Sequence, residues 1–366
     1  FAFLEFLSRL DSMPDILSLH DWQAAMIAPL YKERYCYYDF YGGVKVTFTI
    51  HNIAYQGKCD PFLLQDLFGL DNYLYYNGNI RNDGCMNMMK AAIVYSDAIT
   101  TVSPTYAEEI LTDAYGEGLQ SILKMRRYDL YGILNGIDYD AINPATDPAI
   151  AFNYDATDVK EKKVENKLAL QREVGLPENP DVPLIGIVTR LTWQKGLDLI
   201  INRFEELMKR DVQVVILGAG DQKYEGPLKG FAGYHNQKFS LNLKYDANLA
   251  MRIYASSDMF LMPSLFEPCG LSQMMALRYG SVPIVRETGG LKDTVFPYNE
   301  YEDTGTGFSF SNYNAHEMLH VIDYAIHVYR EDRPAWDRIV QRGMAEKLDW
   351  EKSSEEYLKV FSSLMR

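Results

Sequence analysis

Glu267 is the only carboxylate in Pro263-Ser264-Leu265-Phe266-Glu267-Pro268-Cys269-Gly270-Leu271-Ser272-Gln273. The short apolar run Asp258-Met259-Phe260-Leu261-Met262 precedes it and reads as a buried parallel strand. Leu271 to Tyr279 has helical character and stops at Gly280. The stretch is therefore a strand, a tight turn and a helix start. In open α/β sheets, ligands sit outside the carboxyl ends of strands. A helix start offers N–H groups to a phosphate, and a carboxylate accepts hydrogen bonds from sugar hydroxyls. Together these suggest a sugar nucleotide. The plainer alternative is that Glu267 only caps the helix behind it.

Two cations stand at another strand end. Arg190 follows the apolar run that closes at Thr189, and Lys195 lies five residues on, in Leu191-Thr192-Trp193-Gln194-Lys195-Gly196. Arg by its fork and Lys as a point charge can neutralise a diphosphate. Solvated surface cations are the alternative. Gly218-Ala219-Gly220-Asp221 also follows a strand, but Lys223 occupies the place of the third glycine in the dinucleotide fingerprint, so NAD is discounted. Thr288-Gly289-Gly290 and Gly305-Thr306-Gly307 can bring backbone N–H groups close to a ligand. His316-Glu317-Met318-Leu319-His320 matches the zinc-protease helix pattern. Ile326 stands where the extended pattern needs a third ligand, and Met318, Leu319, Ile322 and Ile326 form a buried stripe without metal, so no metal is expected.

These groups need a scaffold of alternating strands and helices. Strands are expected at Pro14–His20, Val44–Ile50, Ala98–Ser103 and Tyr131–Leu134, with helices at Trp22–Tyr35 and Met86–Tyr95. Asn143 to Asp181 carries four prolines and one helix, from about Lys160 to Val174, and reads as a join between domains. A second set follows: strands at Pro183–Thr189, Val212–Leu217, Asp258–Met262 and Val282–Val285, and a helix at Leu197–Lys209. The alternation implies an α/β fold with parallel sheets and right-handed crossovers.

A chain of 366 residues with 47% hydrophobic content suits two domains with full cores. No apolar run approaches the roughly 18 residues of a membrane span, and Phe1-Ala2-Phe3-Leu4-Glu5 lacks the basic start of a secretory leader. Cys36, Cys59, Cys85 and Cys269 are scattered, which fits free thiols and a cytoplasmic location. A net charge of −14 argues against nucleic acid or an anionic membrane as partner. The acidic Glu300-Tyr301-Glu302-Asp303 reads as a solvated loop.

In chain order, His20-Asp21-Trp22, His51-Asn52-Ile53-Ala54-Tyr55-Gln56-Gly57, Asn135-Gly136-Ile137-Asp138, Arg190-Leu191 with Gln194-Lys195-Gly196, Leu217 to Asp221, Phe266 to Leu271 and Thr288-Gly289-Gly290-Leu291 form one constellation. It resembles bacterial glycogen synthase and plant starch synthase, the retaining ADP-glucose glucosyltransferases of the GT-B fold. The resemblance implies two Rossmann-like parallel-sheet domains facing across a cleft. The expected parts are residues 1–165, residues 166–345, and a helix in 346–366 that returns to the first domain. Arg190 and Lys195 would hold the donor diphosphate and Glu267 the sugar 3-hydroxyl. The backbones of Cys269, Gly270, Leu271, Gly289 and Gly290 would contact phosphate and sugar. His51 and Asn135 would hold the glucose 6-hydroxyl, Asp21 would lie near the acceptor, and Tyr245 would stack on adenine. The implied partners are ADP-glucose and an α-1,4-glucan, with no cofactor.

Met275 stands eight residues after Glu267, where many other GT-B enzymes carry a second glutamate, which favours the glycogen synthase branch. The family also opens with a strand and a Lys-x-Gly-Gly-Leu loop over the donor, and nothing like it precedes Phe1. The first domain is thus expected to be incomplete, and the 366-residue chain alone to bind ADP weakly, to aggregate along an exposed sheet edge and not to turn over. Two other readings stay open: an inactive fragment that binds glucan or nucleotide, and a GT-B transferase with a UDP-sugar donor.

Overall fold

The computed structural model describes residues 1–366, which fall into two compact units: Phe1–Asn135 with Glu351–Arg366, and Gly136–Trp350. The first unit holds a four-stranded parallel sheet in the order Ile16–His20, Lys45–Ile50, Ala98–Thr101, Leu130–Gly132. Val46, Phe48, Ile50 and Ile99 are fully buried, as strands covered on both faces must be. A small antiparallel sheet, Lys58–Cys59, Arg81–Asn82 and Cys85–Asn87, sits beside the loop after Ile50. The helix Trp350–Leu364 packs Val360 against Ala98 and Ile133, and the Ser353 hydroxyl donates to the Leu134 carbonyl.

The second unit is a six-stranded sheet in the order Phe239–Asn242, Gln213–Leu217, Leu184–Val188, Met259–Met262, Val282–Arg286, Phe308–Phe310, every pair parallel. In chain order this is the 3-2-1-4-5-6 doubly wound pattern. Its direction reverses between Leu184–Val188 and Met259–Met262. Loops leaving two such strands diverge to opposite faces of the sheet and leave a crevice between them.

Several elements depart from the sequence reading. The unit boundary falls at 135/136, not near 165, because residues 136–165 are tied into the second unit's core. The buried Tyr154 hydroxyl donates to the Tyr279 carbonyl at 2.8 Å, and Ile150 belongs to the same apolar cluster. The stretch expected as one helix from Trp22 breaks into Asp21–Ala25, Ile27–Leu30 and a π-turn at Tyr31–Tyr35. Pro29 in its middle supplies no N–H, which accounts for the irregular hydrogen bonding. The helix expected at 197–209 splits at Arg203 into Leu197–Asn202 and Phe204–Met208.

No helix is long and apolar enough to cross a membrane, and all four cysteines are free. On helix Ala315–Glu331, Met318, Leu319, Ile322 and Ile326 are buried, and Glu317 accepts from Asn312 through both its backbone and side-chain nitrogens.

Candidate active site

In the second unit, Arg190 and Lys195 lie on the loop after Leu184–Val188, and Glu267 lies on the turn after Met259–Met262. These are directly paired strands on either side of the reversal of strand order, so their carboxyl ends lie side by side and the two loops meet there before they diverge. The Lys195 ammonium meets the Glu267 carboxylate at 2.6 Å, with side chains only 14% and 8% exposed. The Ser264 hydroxyl donates to the same oxygen, Oε2, at 3.1 Å. The Leu265 N–H donates to the Gln194 carbonyl at 2.9 Å, tying one loop to the other through the backbone. Glu267 does not cap the following helix. That helix runs Ser272–Arg278, its N-cap is Leu271, and no side chain caps it.

Glycine permits this close packing at two places. Gly196 has φ +71°, and a Cβ there would lie 2.0 Å from the Pro263 carbonyl oxygen. A Cβ on Gly290 would lie 2.0 Å from the carbonyl oxygen of Cys269, while the Gly290 N–H donates to the Glu267 carbonyl at 3.1 Å. The Gly289–Gly290 backbone is thus laid directly on the Glu267–Cys269 turn. Gln273, fully buried, donates to the Cys269 and Gly270 carbonyls at 3.1 and 2.9 Å and fixes the rest of that turn. A Gly290→Ala change meets backbone, which cannot rotate aside. It is expected to cost at least about 2 kcal/mol, seen as a melting temperature several degrees lower. Unchanged melting would show that the two segments are not in this contact.

The remaining glycine turns serve the frame. Gly218 and Gly220 pack against the Thr189 and Leu191 carbonyls, bracing the Arg190 loop from below. Gly305 and Gly307 press on Pro297 and Pro283 ahead of strand Phe308–Phe310, at the sheet edge opposite Glu267. Arg190 and Leu271 are exposed. Tyr245 is 95% exposed, in the turn between Phe239–Asn242 and helix Ala247–Ser256. The structure therefore brings Lys195, Glu267, Cys269, Gly270, Gly289 and Gly290 together, and leaves Arg190 and Tyr245 open to solvent at the same edge of the sheet.

In the first unit, Asp21, His51 and Asn135 follow the carboxyl ends of Ile16–His20, Lys45–Ile50 and Leu130–Gly132. Asp21 has φ +55°, a left-handed conformation unusual for a side-chain-bearing residue. Its carboxylate accepts the His51 backbone N–H at 2.9 Å. His20 Nδ1 and His51 Nε2 lie 2.9 Å apart, and the two rings stack. Burial and then the neighbouring His51 push the His20 imidazole below its ordinary range, with Asp21 opposing. The loop beyond His51 is held by Gln56, whose amide donates to the Ile53 and Glu117 carbonyls at 3.0 and 2.9 Å and accepts from Asn87 at 2.7 Å. The Tyr106 hydroxyl accepts the Ile53 N–H. Trp22, Tyr55, Gln56, Gly57 and Glu117 line an open groove of about 490 Å³ beside this loop.

A doubly wound sheet with a cation–carboxylate pair at its switch point, and a second parallel-sheet unit with His and Asp at its strand ends, are the architecture of the GT-B glycosyltransferases. Residues 1–125 match the family model "Starch synthase catalytic domain", and residues 171–341 match "Glycosyl transferases group 1". The glycogen synthase of Clostridium botulinum (strain Alaska E43) is 51% identical over 364 residues, 99% of this chain and 76% of that protein. The glycogen synthase of Clostridium perfringens (strain 13) is 50% identical over 365 residues, 100% of this chain and 75% of that protein. The catalytic domain of starch synthase IV from Arabidopsis thaliana, solved with ADP and acarbose bound, superposes with a TM-score of 0.92 at 38% identity, covering 100% of this chain and 76% of that one. Sucrose-phosphate synthase from Thermosynechococcus elongatus shares only the fold, with a TM-score of 0.61 at 16% identity. The chain belongs to the glycogen synthase and starch synthase family and is a hexosyltransferase.

Sequence reasoning assigned no role to His20, Ser264, Gln273 or Arg286. For His20, Ser264 and Gln273 a signal existed, since all three lie inside the motifs quoted. For Arg286 there was none, because the hydrogen bonds that fix the turns go to backbone carbonyls.

Proposed function

We propose that this enzyme transfers glucose from ADP-glucose to the 4-hydroxyl at the non-reducing end of an α-1,4-glucan, with retention of configuration, in the cytoplasm. The observation that carries the reading is the Lys195–Glu267 pair at the switch point of the second unit's sheet. Lys195 and Arg190 meet the donor diphosphate. Lys195 gains in strength as the leaving group takes on charge, which is how a fixed cation lowers the barrier to departure. Glu267, freed in part from the ammonium, accepts the donor sugar's 3-hydroxyl and orients its reacting carbon. The backbones of Cys269, Gly270, Leu271, Gly289 and Gly290 contact phosphate and sugar, and Tyr245 offers its open ring to adenine. His51, oriented by His20, holds the glucose 6-hydroxyl with Asn135. Asp21 fixes the His51 backbone and faces the acceptor.

The test is elongation of a labelled maltooligosaccharide with each donor. ADP-glucose is expected to exceed UDP-glucose by at least about tenfold in kcat/KM, and NMR of the first product is expected to show a new α-linkage. Equal use of both donors, or a β-linkage, would overturn the reading.

A further inference from the structure

Arg286 closes strand Val282–Arg286, which lies in the sheet between Met259–Met262 and Phe308–Phe310. It is only 5% exposed. Its Nε donates to the Ser264 carbonyl at 2.8 Å, its Nη2 to the Leu265 carbonyl and its Nη1 to the Ser311 carbonyl at 3.2 Å. One planar fork thus staples the turns that leave both neighbouring strands. Two routes run from it to the Lys195–Glu267 pair. On one side, holding the Ser264 carbonyl fixes the residue whose hydroxyl donates to Glu267 Oε2. On the other, the guanidinium lies 5.8 Å from the centre of the Tyr313 ring, and the Tyr313 hydroxyl donates to Asp198. Asp198 is in the first turn of helix Leu197–Asn202, which begins two residues after Lys195.

Burying a guanidinium is costly. A neutral donor could hold one carbonyl, but only the arginine fork meets several at fixed angles. We infer that Arg286 is a positioning residue for the transfer reaction, holding both members of the Lys195–Glu267 pair at the spacing the donor needs. The inference rests on the proposed roles of those two residues. In this role Arg286 acts through those two residues and not by contact with sugar or phosphate. Its loss is therefore felt in the orientation of the reacting groups more than in nucleotide affinity.

The experiment compares Arg286→Lys, alone and combined with Glu267→Gln, in the full-length enzyme. Arg286→Lys keeps the charge and loses the fork. It is expected to lower kcat by about thirtyfold or more while ADP affinity by calorimetry stays within about threefold. In the Glu267→Gln background the same change is expected to cost less than about threefold further, because the group it positions is already impaired. A residue that only supports folding would lower the melting temperature and multiply with Glu267→Gln. Should Arg286→Ala prove soluble, added guanidinium ion is expected to restore part of its kcat. Wild-type kcat in Arg286→Lys, or fully multiplicative effects, would overturn the inference. Absence of ADP-glucose transfer by the unmodified enzyme would instead overturn the proposed function.

Discussion

Glu267→Ala is expected to lower kcat by about a hundredfold or more, while ADP binds at least as tightly as before. In the proposed role the carboxylate works on the sugar, and ADP carries no donor sugar to orient. Removing it also frees the Lys195 ammonium, which lies 2.6 Å away and has no other carboxylate within ion-pair distance. An uncompensated cation beside a diphosphate seat attracts it more strongly. Glu267→Gln separates shape from charge, since it keeps the side-chain outline and an acceptor oxygen for the lysine while removing the negative charge. Steady-state rates together with calorimetric ADP titrations read both effects. Near wild-type turnover in the alanine variant would remove Glu267 from the site.

Lys195→Ala is expected to act in the opposite sense on the nucleotide. ADP affinity should fall by about tenfold or more, the range of one charge-assisted hydrogen bond. The fall in kcat/KM should be larger, of the order of a thousandfold, because the ammonium meets more charge on the departing diphosphate than on the bound donor. Part of the affinity loss comes from the Glu267 carboxylate, left facing the phosphates with only Ser264 as partner. The double change Lys195→Ala with Glu267→Ala should therefore recover some ADP affinity, a non-additive result that two independent contacts would not give. Arg190→Lys should also weaken ADP, since an exposed arginine loses its fork while the charge stays. Normal ADP binding by both single variants would show that no such diphosphate clamp exists.

The parts of this site that a reader of the sequence can find are those that repeat a local rule. Glu267 sits in a turn between an apolar run and a helix. Arg190 and Lys195 follow another such run, and the glycines mark close backbone approach. Which loops meet was not legible from spacing, because it depends on the order of strands in the sheet. The edge strand Phe239–Asn242 was missed, since Phe-Ser-Leu-Asn offers neither an apolar run nor a turn signal. Helix Gln222–Tyr234 was missed because it carries Pro227 and three glycines, and tertiary packing of Tyr224 and Leu228 overrides those propensities. Arg286 was invisible for a different reason. Its hydrogen bonds to Ser264, Leu265 and Ser311 go to carbonyl groups, which every residue has, so no pattern of side chains announces them.

The chain passes from the first unit to the second at 135/136 and back at 350/351, so the second unit is an insertion within the first. The two ends of the insertion adjoin, for the Ile137 N–H donates to the Leu348 carbonyl at 2.8 Å. During synthesis the inserted unit can close on itself before residues 351–366 have emerged. The first unit must wait for them, because the surface of Ala98 and Ile133 is covered by Val360. The second unit is thus the one able to fold first on the ribosome, and the earlier-made unit completes its core last.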